Sequence, residues 1–314
     1  MTATAAKTAP RLASRLVNGV LSIKPLAKLA KNRARNMMIK RAETIGVYWP
    51  KEVKALKARG STAEFSPEWE AELAQVQNPN LAYPDYYLTS FHAYEEGNMG
   101  WEPATEVEVA AHAVHARIWP EAGAQGDAML RQSYHNAVKS QILAEPKDIL
   151  DLGCSVGMST FALQETYPQA RVTGLELSPY FLTVARYKAQ KRQLQINWVH
   201  AKAEETGLPT ASFDLVSACL VFHELPQSAA IAIFQEVRRI LRPGGHFTIM
   251  DMNPKSEIYA KMPPYILTLL KSTEPYLDQY FALDIEKAMV EAGFHSPSIT
   301  ANSPRHRTIV AQAK

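Results

Sequence analysis

The sequence predicts an α/β fold: a doubly wound, mostly parallel seven-stranded sheet preceded by a helical N-terminal cap. Three observations carry that reading. Beyond Pro146, strand and helix patterns alternate, which is the signature of βαβ units and a parallel sheet. The first of those strands runs into an acid-x-Gly-x-x-x-Gly turn at Asp151, Gly153 and Gly157, and a helical pattern follows. The chain closes on two further strand patterns, "HSPSIT" and "HRTIVAQAK", joined by a Pro-containing turn.

The elements follow in chain order. From Arg11 to Ile23, Leu12, Leu16, Val20 and Ile23 recur at helical spacing. Pro25 permits a new helix start, and "LAKLAKNRARNMMIKRAETIG" ends on Gly46, a suitable C-cap. Gly60 to Asp85 carries Pro67, Pro79 and Pro84 and reads as turns around one short helix. "YYLTSFHAYEEGNMGWEPATE" is dense in aromatic and polar groups. One alanine-rich helix is expected after Pro103 to about Trp119, and another from about Asp127 to Leu143. Strands are then expected at Asp148–Leu152, Arg171–Leu177, Ile196–Ala201, Phe213–Cys219 and His246–Met252. Helices fall between them at Met158–Thr166, Pro179–Arg192 and Ser228–Leu241, and a last one around Asp284–Ala292 stops at Gly293. The chain thus divides into a basic amphipathic helical arm (1–60), a helical cap (61–145) and the α/β domain (146–314).

Charge divides the chain as well. Residues 1–42 hold ten Lys/Arg and no acid, so the remaining 24 Lys/Arg face 31 Asp/Glu: a +10 arm on a −7 body. Cys154 and Cys219 are the only cysteines, too few for a disulfide framework or a CxxC site, and a reducing compartment is expected. No HExxH, EF-hand or Walker A pattern occurs, and no metal is expected. His112 and His115 read as surface on an alanine-rich helix. No apolar run approaches the roughly 18 residues of a membrane span.

The turn after the first strand decides the function. A dinucleotide fingerprint needs GxGxxG. Here Ser155 and Met158 stand where the second and third glycines belong, which disfavours a dehydrogenase. Small residues at Gly153, Ser155 and Gly157 still let the backbone pass close beneath a ligand. An acid at the strand end attracts an ammonium or sulfonium rather than a phosphate. Glu176, at the tip of the second strand in "VTGLELSP", is placed to accept hydrogen bonds from ribose hydroxyls.

This pattern resembles motif I of the class I S-adenosyl-L-methionine (SAM)-dependent methyltransferases. Later segments match in order. "ASFDLVSACLVFHEL" resembles the family's fourth motif, and "VRRILRPGGHFTIMD" its helix-end, Arg-Pro-Gly-Gly, strand signature, especially in type 11 members such as the quinone-biosynthesis enzymes. The matches cover about residues 146–314. The family's antiparallel seventh strand, inserted between strands five and six, accounts for the late hairpin. Upstream, "FHAYEEGNMGWEPATEVEVAAHAVHARIWP" and "STEPYLDQY" are similar to a methyltransferase group of cyanobacteria and plastids.

The resemblance implies SAM as cofactor, with Asp151, Gly153, Ser155, Gly157, Glu176, Leu177, Ala203, Glu204 and Cys219 as its binding set. Ser155 replaces the usual middle glycine. Lys202 stands where the family has the adenine-binding Asp, and an ammonium cannot accept a hydrogen bond, so Glu204 is expected to take over. His223, after the fourth strand, and Tyr94, in an aromatic lid from Phe91 to Trp101, are the catalytic candidates; packing is the alternative reading of both. The implied activity is methyl transfer to a small, apolar acceptor. The alternatives are a methyltransferase-fold pseudoenzyme serving as a binding or assembly factor and, less favoured, an RNA or protein methyltransferase. No nucleic-acid partner is expected: "MPPY", Met262–Tyr265, follows strand five rather than strand four and reads as a helix start. The basic arm fits an anionic membrane surface, an organelle-targeting segment, or helices packed on the acidic body. The expected location is cytoplasmic, peripheral to a membrane, with organelle targeting as the alternative.

Overall fold

The computed structural model describes residues 24–92 and 94–314. The helix expected over Arg11–Ile23 lies outside them. Helix α1, Lys24–Thr44, ends just before Gly46, whose φ of +82° is the left-handed conformation a helix terminator needs. Helix α2, Trp49–Ala58, was not anticipated, although Pro50 in its first turn is a start signal. Then come α3, Glu68–Val76, α4, Trp101–His115, and α5, Gly126–Lys139. Both alanine-rich helices are shorter than expected.

The α/β region follows the expected alternation: β1 Asp148–Leu152, α6 Met158–Thr166, β2 Arg171–Glu176, α7 Pro179–Lys191, β3 Asn197–His200, β4 Phe213–Cys219, α8 Gln227–Ile240 and β5 Leu241–Met252. After β5 run α9 Glu257–Ala260, α10 Pro264–Thr273, α11 Leu277–Ala282, α12 Ile285–Glu291, β6 Ser298–Ala301 and β7 His306–Gln312. Strand β5 begins five residues earlier than the pattern suggested, because Leu241 pairs with Phe213 before the Pro-Gly-Gly turn breaks the register. Gly244 has φ +78°, which suits the third position of a type II turn.

The seven strands lie in the order β3-β2-β1-β4-β5-β7-β6. The first five are parallel; β7 runs antiparallel between β5 and β6. Alternation along β1 divides the core. Leu150 and Leu152 join Phe234 and Val237 of α8 and Met289 of α12 on one face. Ile149 joins Leu163 of α6 and Val172 of β2 on the other. That second face is extended by α5, whose Leu130, Tyr134 and Val138 pack on Cys219, Met250 and Val310. The Tyr134 hydroxyl lies 2.8 Å from Ser217 Oγ and 2.6 Å from Thr248 Oγ1, so its burial between β4 and β5 leaves no polar group unpaired.

The N-terminal helices reach the sheet through α7. Trp69 of α3 and Ala104 of α4 share a cluster with Phe181 and Val184. Val53 of α2 and Ala42 of α1 pack on Val109 and Ala113 of α4. The Arg59 guanidinium lies 4.5 Å and 4.2 Å from the ring centres of Trp69 and Tyr187, a cation–π clamp between α3 and α7. Among the described residues no helix is long and apolar enough to cross a membrane.

Candidate active site

The site is built on the C-terminal tips of β1 to β5, where a doubly wound sheet leaves a crevice. Asp151 faces α6. Its Oδ2 accepts from Ser159 Oγ at 2.7 Å and Thr160 Oγ1 at 2.6 Å. Its Oδ1 is buried and without a hydrogen-bond partner. Burial pushes its pKa up to about 6, against the pull of the two hydroxyls and of Arg131.

The turn that follows is wound through the left-handed region: φ is +69° at Gly153, +49° at Ser155 and +87° at Gly157. A Cβ at Gly153 would come within 2.8 Å of Val221, and one at Gly157 within 2.8 Å of Phe161. Ser155 holds the same kind of conformation without a glycine's freedom, at a cost of roughly 1–2 kcal/mol. Its Oγ is buried and unpartnered.

Glu176 already accepts four hydrogen bonds. Its Oε2 accepts from the Ser155 backbone N–H at 2.8 Å. Its Oε1 accepts from the N–H groups of Leu177 and Ser178, both at 2.8 Å, and from the Tyr87 hydroxyl at 3.1 Å. Burial nevertheless wins and raises its pKa. At the tip of β3, Glu204 Oε1 accepts from the Tyr86 hydroxyl at 2.6 Å, while its Oε2 is buried and unpartnered. Lys202 turns away to Glu205, at 2.8 Å, and Ala203 packs at the edge of the core. Tyr83 lies 3.2 Å from His200 Nε2, and the Asn78 N–H donates to His200 Nδ1 at 2.7 Å. A strap from Asn78 to Tyr87 therefore crosses the tips of β2 and β3. Its two last tyrosines sit on the carboxylates expected to hold ribose and adenine. The sequence shows them only as "DYY".

At the other end of the crevice, Arg131 of α5 reaches across to β4. Its Nε donates to Asp127 Oδ2 at 2.9 Å and its Nη1 to Cys219 Sγ at 3.3 Å. His115 Nδ1 lies 2.6 Å from Asp127 Oδ1. Burial pushes the Cys219 thiol up to about 12, so it is a neutral wall. Arg131 was not foreseen, because nothing in its local pattern marks it out from a surface arginine.

His223 sits just beyond β4 in a short 3-10 turn, Phe222–Glu224. Its Nδ1 lies 2.8 Å from Asp251 Oδ1. Asp251 also accepts the backbone N–H groups of Phe222, His223 and Met252 at 2.8, 3.2 and 2.7 Å. Burial alone would lower the His223 pKa. Asp251, then Glu274 and Glu224, outweigh it and push the imidazole up to about 10. Asp251 was missed, though an acid ending a buried strand in "HFTIMD" is a readable signal.

The expected site residues thus fall into five places. Asp151, Gly153, Ser155, Gly157, Glu176 and Leu177 surround one turn. Ala203 and Glu204 lie at the tip of β3, Cys219 lies under Arg131, and His223 lies on Asp251. Tyr94 stands apart: its hydroxyl donates to Glu106 of α4 at 2.8 Å, and Glu106 is ion-paired with Arg35 of α1. Trp101 packs within the cap, its Nε1–H donating to Glu70 at 2.7 Å. From the same segment, His92 reaches Glu224 and Glu274.

Residues 149–245 match the methyltransferase domain family. A demethylmenaquinone methyltransferase of Thermus thermophilus is 31% identical over 118 residues, which is 38% of this chain and 53% of that protein. An uncharacterised methyltransferase of Synechocystis is 29% identical over 164 residues, 52% of this chain and 74% of that protein. The chain spans about half the length of the first of these relatives. The solved structure of PigF with SAH superposes with a TM-score of 0.54 at 16% identity, covering 79% of this chain and 69% of that one; at that identity the likeness is one of fold.

Proposed function

We propose that the class I methyltransferase domain of this chain binds SAM and transfers its methyl group to a small, apolar acceptor. The observation that carries the proposal is the row of three carboxylates, buried Asp151 and Glu176 and half-buried Glu204, at the tips of adjacent strands β1, β2 and β3. Asp151 Oδ1 and Glu204 Oε2, at the two ends of that row, are buried oxygens still short of a donor. A buried acceptor without a partner costs about 1–3 kcal/mol, so both ends are fitted to groups the chain itself does not supply.

Bound SAM would supply an electrophilic methyl on a cationic sulfur. Asp151 would hold the methionyl ammonium and Arg131 its carboxylate, Glu176 the ribose hydroxyls, and Glu204 and the Ala203 N–H the adenine. The rest of the catalytic task is alignment and exclusion of water. The α4–α5 side and the strap would exclude solvent. His223, kept protonated by Asp251, holds a positive charge and a proton at the acceptor end. That suits an acceptor whose oxygen is already anionic, or becomes so in the transition state. The name of the Thermus relative supports a quinone-like acceptor. We further propose that residues 1–42 bring the enzyme, in the cytoplasm, to an anionic membrane surface where apolar acceptors concentrate.

Calorimetry with S-adenosylhomocysteine (SAH) tests the central reading. Wild-type protein is expected to bind. Glu176→Ala is expected to lose about 1.5–3 kcal/mol, the range for hydrogen bonds to a charged group. Absence of wild-type binding at millimolar SAH would favour a binding or assembly role for the fold.

A further inference from the structure

We propose that His92, Glu224 and Glu274 form a divalent-cation site at the acceptor end of the crevice. The three come from separate elements: the lid loop, the 3-10 turn after β4, and the residue that follows α10. His92 Nε2 lies 3.2 Å from Glu274 Oε1 and 3.7 Å from Glu224 Oε1. One ligand atom from each residue falls within 4.8 Å of the others. Two ligands bound at about 2.0–2.2 Å, at tetrahedral or octahedral angles, stand roughly 3–3.5 Å apart. The arrangement is within small side-chain adjustments of that spacing.

Two further observations point to a ligand. Glu274 is only 7% exposed, yet its Oε2 has no hydrogen-bond partner. His92 is held in the left-handed region, φ +51°, with its N–H donated to the Thr273 carbonyl at 3.0 Å. The backbone thus ties the imidazole to the residue beside Glu274 in a conformation that L side chains rarely adopt, a feature common at ligand clamps.

One imidazole and two carboxylates suit Mn2+, Fe2+ or Zn2+. The His92 and Glu224 side chains remain 41% and 25% exposed, which leaves coordination positions open to solvent. Glu224 Oε1 is also 3.9 Å from His223 Nε2. An oxygen ligand taken up by the cation would therefore lie beside His223. The competing description is an ion-pair network in which protonated His92 bridges the two glutamates and no cation enters.

Titration of the full chain with Mn2+, with free Mn2+ followed by its electron paramagnetic resonance signal, separates the two. About one Mn2+ per chain is expected to bind, and Glu274→Gln and His92→Asn are each expected to weaken binding about tenfold or more. No binding to wild type at about 1 mM Mn2+, or equal binding by all three proteins, overturns the site. His92→Asn lies on the open side of the cluster and keeps the test decisive should Glu274→Gln fail to fold. The titration needs no cofactor, and SAH calorimetry on the same preparation reports separately on the methyltransferase reading.

Discussion

Arg131 shows how much one side chain can connect. It spans from Asp127, on its own helix, to Cys219 at the tip of β4, and its charge reaches Asp151. Its role in holding Asp127 and its proposed role on the methionyl carboxylate can be separated. Arg131→Met leaves the Asp127 carboxylate buried beside His115 without its main counter-charge and should cost about 3–5 kcal/mol, read by urea unfolding. Adding Asp127→Asn removes the stranded charge and should recover part of that stability. SAH affinity should stay low in the double variant. If affinity returns with stability, Arg131 is a packing residue and the carboxylate is held elsewhere. Ser155 makes the complementary point. The pattern that the turn resembles has glycine there, and the φ of +49° explains why; the chain accepts a strained serine whose N–H still serves Glu176.

Among the elements, the strap from Asn78 to Tyr87 changes the description of the site most. Its hydroxyl groups donate to the two carboxylates proposed to hold ribose and adenine, so bound SAM would either displace them or sit beside them. Tyr87→Phe removes one competing donor from Glu176 and little volume. A net hydrogen bond is worth about 0.5–1.5 kcal/mol, so SAH should bind about 2- to 10-fold more tightly while the melting temperature falls slightly. Unchanged or weaker SAH binding would mean that the tyrosine stays in place and supports the bound cofactor. The strap can act in this way because it lies on the strand tips through side-chain hydrogen bonds rather than through a β-ladder.

At the scale of the whole molecule, charge asymmetry dominates. An acid-free arm carrying ten Lys/Arg is followed by an acidic body. Basic groups near an anionic leaflet contribute roughly 1 kcal/mol each, fading with salt. Full-length protein is therefore expected to float with anionic liposomes at low salt, and a variant lacking residues 1–42 to remain in the soluble fraction. Equal recovery of the two removes the membrane proposal, and cleavage near residue 42 in cells would identify a targeting segment instead. Because α1 extends past residue 42 and Ala42 is buried against α2 and α4, the truncated protein needs a melting curve before its flotation is read.

The sequence by itself determined the sheet and the turn that defines the crevice. Strand periodicity, the glycines of the β1 turn and the Arg-Pro-Gly-Gly corner are local signals, and β1, β4 and α6 match their expected bounds residue for residue. Such signals work because backbone conformation is set by near neighbours and by which face of an element is apolar. Only the tertiary structure decided what surrounds the turn: Arg131 under the tip of β4, Asp251 behind His223, Tyr86 on Glu204 and Tyr87 on Glu176, and His92 between two glutamates. Each of these pairs residues far apart in the chain through single side chains. No periodicity records such a pairing, because the free energy that fixes it comes from burial and hydrogen bonding available only once the sheet and its covering helices have brought the strand tips and loops together.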